Sequence, residues 1–144
     1  PGGGHTRAEH ATLYVLDWQT KRVIFKTNPL PGIREIISLE IGPDGLVYGL
    51  GSGTNLFVFD PKKRKVVHKG DLSQYGGVPR QALVLANGKL YAAMTKALIS
   101  IERETYRVTK VVDMPPGVTA AAVYYKGQLY FACGGHLWSY NLER

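Results

Sequence analysis

The sequence predicts an all-β fold built from repeated units of about 40 residues. Two observations support this prediction: short sequence markers recur in phase along the chain, and several predicted strands are apolar on both faces. The composition agrees, because 44% hydrophobic residues can supply a core while 17 glycines and 8 prolines supply turns between short strands.

Two markers define the repeat. A Gly-x-apolar-Tyr element occurs at Gly45–Tyr48, Gly88–Tyr91 and Gly127–Tyr130, with spacings of 43 and 39 residues. A short apolar segment ending in an acidic residue or asparagine occurs at Leu13–Asp17, Leu56–Asp60, Leu98–Glu102 and Leu137–Asn141. A period of this size, with several strands in each unit, is typical of the four-stranded blades of a β-propeller.

The markers also predict the domain layout. Residues 1–10 are expected to be a flexible, glycine-rich lead, followed by one propeller segment at 11–144. In that segment, 11–32 would be strands three and four of a blade, 33–72 and 73–114 complete blades, and 115–144 a blade lacking its fourth strand. The strands are therefore grouped as two, four, four and three.

The apolar residues predict that each sheet has neighbours on both sides. Large apolar side chains alternate onto both faces in Leu13–Leu16 and Leu56–Phe59. About three blades cannot close a ring, since propellers have roughly four to eight. We therefore expect either two copies closing a six-bladed ring or the remaining blades of a longer protein.

The order of motifs within a unit resembles a group of bacterial proteins. The motifs are Pro43-Asp-Gly45, Leu46-Val-Tyr48, Phe57-Val-Phe-Asp-Pro61 and Lys65-Val-Val67. From Leu13 to Leu142 the chain resembles bacterial propeller repeats of the NHL, YVTN and quinoprotein-like classes. Gly134-Gly135 before Leu137-Trp138 is also similar to kelch repeats, although the other units lack this glycine pair. The resemblance implies a propeller fold and leaves activity open, because such families include binding modules, lyases, lactonases and assembly platforms.

Charge indicates the kinds of partner. The 18 Lys and Arg residues exceed the 11 Asp and Glu residues, so the net charge of +7 would attract anionic partners. The densest basic run, Asp60 to Val66, falls where a hairpin turn is predicted, and no aromatic platform accompanies it. Nucleic acid is therefore not an expected partner. A membrane is not expected either, because no apolar run approaches the roughly 18 residues of a span.

Metal and catalytic chemistry are not predicted. A zinc site needs three or four converging ligands, whereas His5, His10, His68 and His136 are spread over the lead and different strands. Cys133 and His136 are close in sequence, as a nucleophile and its base can be. The apolar neighbours of Cys133 instead predict a buried thiol. We expect no cofactor and assign no catalytic residue.

The predicted binding site lies on the axial face of the propeller, where loops join strand four to strand one and strand two to strand three. Its candidate residues are Arg34, Glu35, Tyr75, Arg80, Lys96 and His136. Arg34 and Arg80 open the first strands of successive blades, so both can reach the mouth of an axial channel. A carbohydrate or anionic ligand fits such side chains.

The resulting functional expectation is a noncatalytic propeller module that binds a ligand or protein partner on its axial face. One alternative is a lyase or lactonase acting on a polar or carbohydrate substrate, with catalytic groups supplied by another copy or by sequence outside this chain. A second alternative is a designed or excised fragment, which would account for a start at Pro1. A bacterial secreted or cell-surface location is favoured over the cytoplasm.

Overall fold

The computed structural model describes residues 9–143, apart from the side chain of Ala121. In this range the chain forms thirteen β-strands and a one-turn 3-10 helix, Ser73–Tyr75. The strands are β1 (Leu13–Asp17), β2 (Arg22–Thr27), β3 (Ile36–Ile41), β4 (Val47–Gly51), β5 (Asn55–Asp60), β6 (Lys65–Asp71), β7 (Leu83–Ala86), β8 (Lys89–Ala93), β9 (Ala97–Ile101), β10 (Val108–Asp113), β11 (Val118–Tyr125), β12 (Gln128–Cys133) and β13 (His136–Asn141). Most of the predicted flexible lead, residues 1–8, lies outside the described residues.

Within the described range the strands form four antiparallel sheets, each in sequence order. Sheet I contains β1–β2, sheet II β3–β6, sheet III β7–β10 and sheet IV β11–β13. The predicted all-β fold is confirmed, and the strands of residues 9–143 are grouped as two, four, four and three, as the markers predicted.

The glycine of the Gly-x-apolar-Tyr marker ends the turn between the first two strands of its sheet. Gly45, Gly88 and Gly127 have φ angles of 76°, 69° and 80°. Glycine adopts this left-handed region at little cost, which suits a tight hairpin. The tyrosine three residues later lies on the second strand, where Tyr48 and Tyr91 are buried. The marker thus encodes a turn together with the start of a core strand.

Hydrophobic clusters fill the space between consecutive sheets. In β5, Leu56 and Val58 belong to the cluster shared with sheet III, whereas Phe57 and Phe59 belong to the cluster shared with sheet I. All four are at most 1% exposed. Because neighbouring side chains of a strand point to opposite faces, sheet II is covered on both sides. The apolar pattern predicted these two neighbours correctly.

The first strands of sheets II, III and IV adjoin one another. β7 contacts both β3 and β11. The amide of Leu83 donates to Ser38 Oγ at 3.0 Å, and Arg80 forms a parallel bridge with Ala120. Ala82, at this junction, is fully buried. A small side chain therefore lies where the first strands of consecutive sheets meet.

The two end sheets differ from the inner pair because their outer faces are open. In sheet I, Leu13 and Val15 face sheet II while Tyr14 and Leu16 are exposed. In sheet IV, Leu129, Phe131 and Cys133 face sheet III. The opposite face of sheet IV exposes Val123, Tyr125 and Leu137. Each end of the stack therefore presents apolar side chains to solvent.

Candidate functional site

The predicted site residues lie at or beside one end of the sheets, which we call the loop face. It consists of the connections at 28–35, 52–54, 72–82, 94–96, 114–117 and 134–135. Arg34 and Glu35 precede β3, Tyr75 ends the 3-10 helix, Arg80 precedes β7, and Lys96 lies between β8 and β9. His136 was expected in a loop. It is instead the first residue of β13, because it pairs with Cys133 across a tight turn.

Backbone hydrogen bonds join each incoming loop to the turn between the second and third strands of the same sheet. Ser52 N donates to Glu35 O at 3.0 Å in sheet II. Thr95 N donates to Gly77 O at 3.0 Å in sheet III. Gly134 N donates to Gly117 O at 3.0 Å in sheet IV. The three donors are spaced by 43 and 39 residues, the spacings of the Gly-x-apolar-Tyr marker. The sequence repeat therefore corresponds to a repeated backbone hydrogen bond on the loop face.

Tyr75 and Lys96 are brought together in this way. Lys96 N donates to Tyr75 O at 3.1 Å, and Gly77 N donates to Thr95 Oγ1 at 2.7 Å. Gly76 adopts a φ of 92°, and a Cβ there would overlap Thr95 and Lys96. The close approach of the two connections therefore requires glycine at this position.

Arg34, Arg80 and Lys96 are exposed, and within residues 9–143 none of them forms an ion pair with a carboxylate. In the same range no hydrogen bond joins the side chains of any two predicted site residues. The backbone of the loop face is thus held in place while these three cations remain accessible. The half-buried Tyr75 packs against the core between sheets II and III.

The carboxylate of Asp71 connects two segments of the loop face by hydrogen bonds. It accepts hydrogen bonds from Ser73 Oγ and Ser73 N, both at 2.8 Å, and from Thr54 Oγ1 at 3.0 Å. The hydroxyl bond from Ser73, followed by its amide bond, holds the pKa of Asp71 below its ordinary value. Asp71 therefore remains ionised while tying the end of β6 to the 52–54 turn.

Cys133 and His136 do not form a nucleophile and base pair. The Cys133 thiol is buried and lies 3.0 Å from the carbonyl oxygen of Pro116. His136 is exposed on the strand that follows. The sequence correctly predicted a buried thiol. The thiol contacts a backbone acceptor, an arrangement typical of structural cysteines.

The basic run after β5 forms an exposed hairpin turn, as predicted. Asp60 Oδ1 accepts hydrogen bonds from Lys62 N and Lys63 N, both at 2.9 Å. The bond from Lys63 N contributes most to holding the pKa of Asp60 below its ordinary value. Asp17 caps the equivalent turn of sheet I, where its Oδ1 accepts hydrogen bonds from Gln19 N and Thr20 N. The acidic residue of the second marker is therefore a turn cap.

A cleft of about 420 Å³ lies at the opposite end of the sheets, between sheets II and III. Its charged lining includes Lys89, Glu102, Arg103 and Arg107. None of these was among the predicted site residues, because the 103–107 segment was interpreted as an ordinary exposed turn. The sequence did contain one indication that this turn differs. Tyr106 occupies the position that Lys21 and Arg64 occupy in the turns of sheets I and II, and all three residues have a positive φ.

A second depression, of about 350 Å³, lies beside the 28–35 connection. Leu30, Pro31 and Ile33 line one side of it, and Asn55, Lys69 and Gly70 line the other. None of the six predicted site residues lines it. The depression is therefore a partly apolar surface beside the loop face and is separate from the predicted site.

Among the residues that the structure describes, no three His, Cys, Asp or Glu side chains are grouped closely enough to hold a metal ion. Residues 9–143 also contain no helix with the length and hydropathy needed to cross a membrane. The chain matches no protein-family model and no curated protein. Its resemblance to propeller repeats therefore remains a prediction from its motifs.

Proposed function

We propose that this chain forms about three blades of a β-propeller and acts as a noncatalytic module that binds a ligand or protein partner on the loop face. The observation that carries this proposal is the repeated hydrogen bond between incoming loop and turn in sheets II, III and IV. The same hydrogen bond recurs in three equivalent connections on one face. Propellers use such a face around their axis for recognition.

The packing between sheets supports the propeller geometry. Consecutive sheets share hydrophobic clusters, and the first strand of sheet III contacts the first strands of sheets II and IV. Blades that surround an axis meet in this manner through their innermost strands. A two-layer sandwich would instead leave one face of each sheet in water, whereas Leu56 and Phe57 of β5 are both fully buried.

The exposed cations support an anionic or carbohydrate ligand. Arg34, Arg80 and Lys96 project from connections whose backbone is already hydrogen-bonded. Binding then costs little ordering of the main chain, which favours affinity. Arginine forks also match carboxylate and sulfate oxygens in paired geometry. An acidic polysaccharide or the acidic surface of a protein would meet these requirements.

Retention on immobilised heparin tests the binding face. The face variant is Arg34→Glu/Arg80→Glu/Lys96→Glu, and the control is Lys62→Glu/Arg64→Glu/Lys65→Glu at the opposite end of sheet II. Both variants carry the same net charge, so a difference between them reports the position of the cations. We expect the face variant to elute at a clearly lower salt concentration than the control. Equal elution of the two variants would contradict the proposed face.

The open ends of the stack support completion of the ring by a second copy. The outer faces of sheets I and IV expose Tyr14, Leu16, Val123, Tyr125 and Leu137. Apolar patches of this kind normally mark association. Two copies arranged head to tail would bring sheet IV of each to sheet I of the other. The six-bladed ring forms if these two sheets join edge to edge as one blade, whereas packing them face to face would give eight; both numbers lie within the usual range of roughly four to eight.

Sedimentation equilibrium tests this closure. We expect a mass of about twice the 15.9 kDa of the chain. Leu137→Asp should give the monomer, whereas Val111→Asp, an exposed apolar position on sheet III, should leave the dimer intact. If the unmodified protein is a monomer at high concentration, self-association is contradicted. The alternative is then that the remaining blades of a longer protein cover the outer faces of sheets I and IV.

A further inference from the structure

The cleft between sheets II and III combines an apolar floor with charged walls. Tyr48, Leu90 and Ile101 are buried residues that contribute to its lining. Lys89, Arg103 and Arg107 are exposed residues at its margin. Its volume of about 420 Å³ falls within the range of small-molecule sites. The cleft lies at the opposite end of the sheets from the loop face, so it is independent of the function proposed above.

The lining carries more positive than negative charge. Three cationic side chains face one carboxylate, that of Glu102. Glu102 Oε2 accepts a hydrogen bond from Thr105 Oγ1 at 2.6 Å and pairs with Arg107 Nη2 at 3.1 Å. A guanidinium has five N–H donors, so Arg107 can bond to a further acceptor while keeping this pair. The surplus positive charge favours an anionic group in the cleft.

Two other carboxylates lie near the cleft, and both already have partners. Glu104 Oε1 lies 4.0 Å from Arg103 Nε, in an exposed ion pair of the kind that contributes little free energy. Asp44 follows the lining residue Pro43, and its Oδ2 accepts a hydrogen bond from the Tyr48 hydroxyl at 2.8 Å. Its Oδ1 accepts from Leu46 N at 3.1 Å. Burial, and then this bond to Asp44, raises the pKa of Tyr48 above its ordinary value. Tyr48 therefore remains a neutral member of the floor.

Tyr106 holds the cationic wall against sheet II. Its ring stacks on His68 with a centroid distance of 4.5 Å and lies 6.4 Å from the ring of Tyr48. Arg103 and Arg107 flank this anchor in the same turn. Glu102 N donates to Arg107 O at 2.9 Å, and Thr105 N donates to Arg103 O at 2.8 Å. The two arginines are consequently carried on a backbone that is fixed before any ligand arrives.

The equivalent turns of sheets I and II lack such an anchor. The position of Tyr106 is occupied there by Lys21 and Arg64, both exposed. A left-handed conformation is uncommon for an aromatic residue, and it costs free energy. Sheet III therefore differs from sheets I and II at the turn that forms the wall of the cleft.

We infer that this cleft binds a small organic anion, in which a carboxylate or phosphate contacts Arg103 and Arg107 while an apolar body covers Tyr48 and Leu90. The arginine pair supplies planar donors that match either anion. The floor excludes water from one side of the ligand, which strengthens the charged contacts. Anion and apolar body are both needed, because each contacts a different part of the lining.

Titration by two-dimensional amide NMR tests the inference with four probes: benzoate, phenyl phosphate, acetate and benzyl alcohol. We expect one of the two aromatic anions to shift the amides of Gly88, Leu90, Ile101 and Arg103 with saturation in the millimolar range, as suits a fragment of this size. Acetate, which lacks the apolar body, and benzyl alcohol, which lacks the charge, should bind at least about tenfold more weakly. The stronger of benzoate and phenyl phosphate identifies the anion.

A pair of double variants provides the matched control. Arg103→Gln/Arg107→Gln should weaken anion binding about tenfold or more, whereas Lys62→Gln/Arg64→Gln, with the same loss of charge in the turn of sheet II, should leave it unchanged. All four side chains are exposed, and amide spectra report whether each variant keeps its fold. Because Lys89 also lines the cleft, Lys89→Gln offers a third variant that leaves both turns intact.

Three results would overturn the inference. The first is that the amide shifts caused by benzoate and phenyl phosphate fail to saturate. The second is that these shifts are spread over all basic surfaces of the protein. The third is equal weakening of anion binding in the two double variants. None of these outcomes depends on whether heparin binds the loop face, so failure here leaves the proposed function untouched.

Discussion

Sheets II and IV contain the same sequence marker in opposite environments. Leu56, Leu98 and Leu137 begin the apolar segments of the third strands of sheets II, III and IV. Leu56 is 0% exposed and Leu98 1%, whereas Leu137 is 76% exposed. The residue type and its place in the strand are the same in all three. The comparison teaches that a neighbouring sheet, and not the strand itself, determines whether this leucine is buried.

The next residue along each strand shows the same contrast on the other face. Phe57 and Ile99 are fully buried, whereas Trp138 is 47% exposed although it pairs with Phe131. Trp138 points toward sheet III, but within the described residues β13 is an edge strand. An inner sheet is therefore stabilised on two faces and an end sheet on one.

The largest expected effect comes from truncating the two equivalent leucines. Leu56→Ala should lower the free energy of unfolding by about 2 to 5 kcal/mol, because it removes buried apolar atoms and leaves a cavity. Leu137→Ala should change it by no more than about 0.5 kcal/mol in the monomer, since its side chain is already in water. Urea unfolding of both variants measures the difference.

A dimer would sharpen the same comparison. If a second copy covers sheet IV, the cost of Leu137→Ala should rise with protein concentration while the cost of Leu56→Ala stays constant. Equal costs for both variants at low concentration would contradict the observed contrast in burial.

A smaller effect is expected from adding one methyl group to an inner sheet. Gly49 pairs with Phe57, and a Cβ at Gly49 would overlap the phenylalanine ring. Gly49→Ala should therefore cost about 1 to 3 kcal/mol through overpacking. Gly135→Ala, in the turn between β12 and β13 of sheet IV, is the control, because no atom lies within 4 Å of its added Cβ. Thermal unfolding compares the two, and similar losses would show that the inner sheet can relax.

A pH effect of smaller size is expected at the junction of sheets II and III. Burial lowers the pKa of His68 from its ordinary 6.5, because the charged imidazolium loses solvent there. Between the pKa of His68 in the folded chain and its pKa in the unfolded chain, the unfolded chain binds more protons. The contribution of neutral His68 to the free energy of unfolding is therefore fully present above about pH 6.5 and is lost as the pH falls through the pKa of the folded chain.

Unfolding of two histidine variants at pH 7.5 and 5.5 measures this effect. His68→Phe should reduce the loss of stability on acidification while keeping a ring against Tyr106. His136→Gln, at an exposed position of the end sheet, should leave the loss as it is in the unmodified protein. An unchanged pH dependence in His68→Phe would exclude His68 as its source.

The smallest effect is expected at the open end of sheet I. Trp18 is 82% exposed, and Lys21 Nζ lies 3.1 Å from the centroid of its ring. Trp18→Ala should change the free energy of unfolding by no more than about 1 kcal/mol, because an exposed cation–π contact contributes little. Chemical denaturation checks this value, and a loss above about 2 kcal/mol would require Trp18 to be covered in solution.

Much of the fold was predictable because its determinants are local. Gly45, Gly88 and Gly127 mark turns by their conformational freedom, and alternating apolar residues mark strands with two covered faces. The start of β13 was less predictable: Gly134 and Gly135 indicate a turn, but only pairing with Cys133 places His136 in a strand.

The candidate site was predictable only as a set of positions. The order of strands places Arg34, Arg80 and Lys96 on one end of the sheets, as the repeat implied. Their side chains are not joined to one another by hydrogen bonds within residues 9–143. The cleft at the other end was missed, because Pro43 and Arg107 are 64 residues apart in the sequence and meet only when two sheets pack.

The sequence by itself determined the all-β class, the number and grouping of the described strands, and the turns between them. These features depend on the conformational preferences of single residues and on side chains two positions apart, which the order of amino acids specifies directly. Only the tertiary structure decided that Leu56 is buried while Leu137 is exposed, and that Tyr106 brings two arginines to the edge of sheet II. Burial and convergence arise from surfaces that are distant in the chain, so they exist only after the sheets have packed.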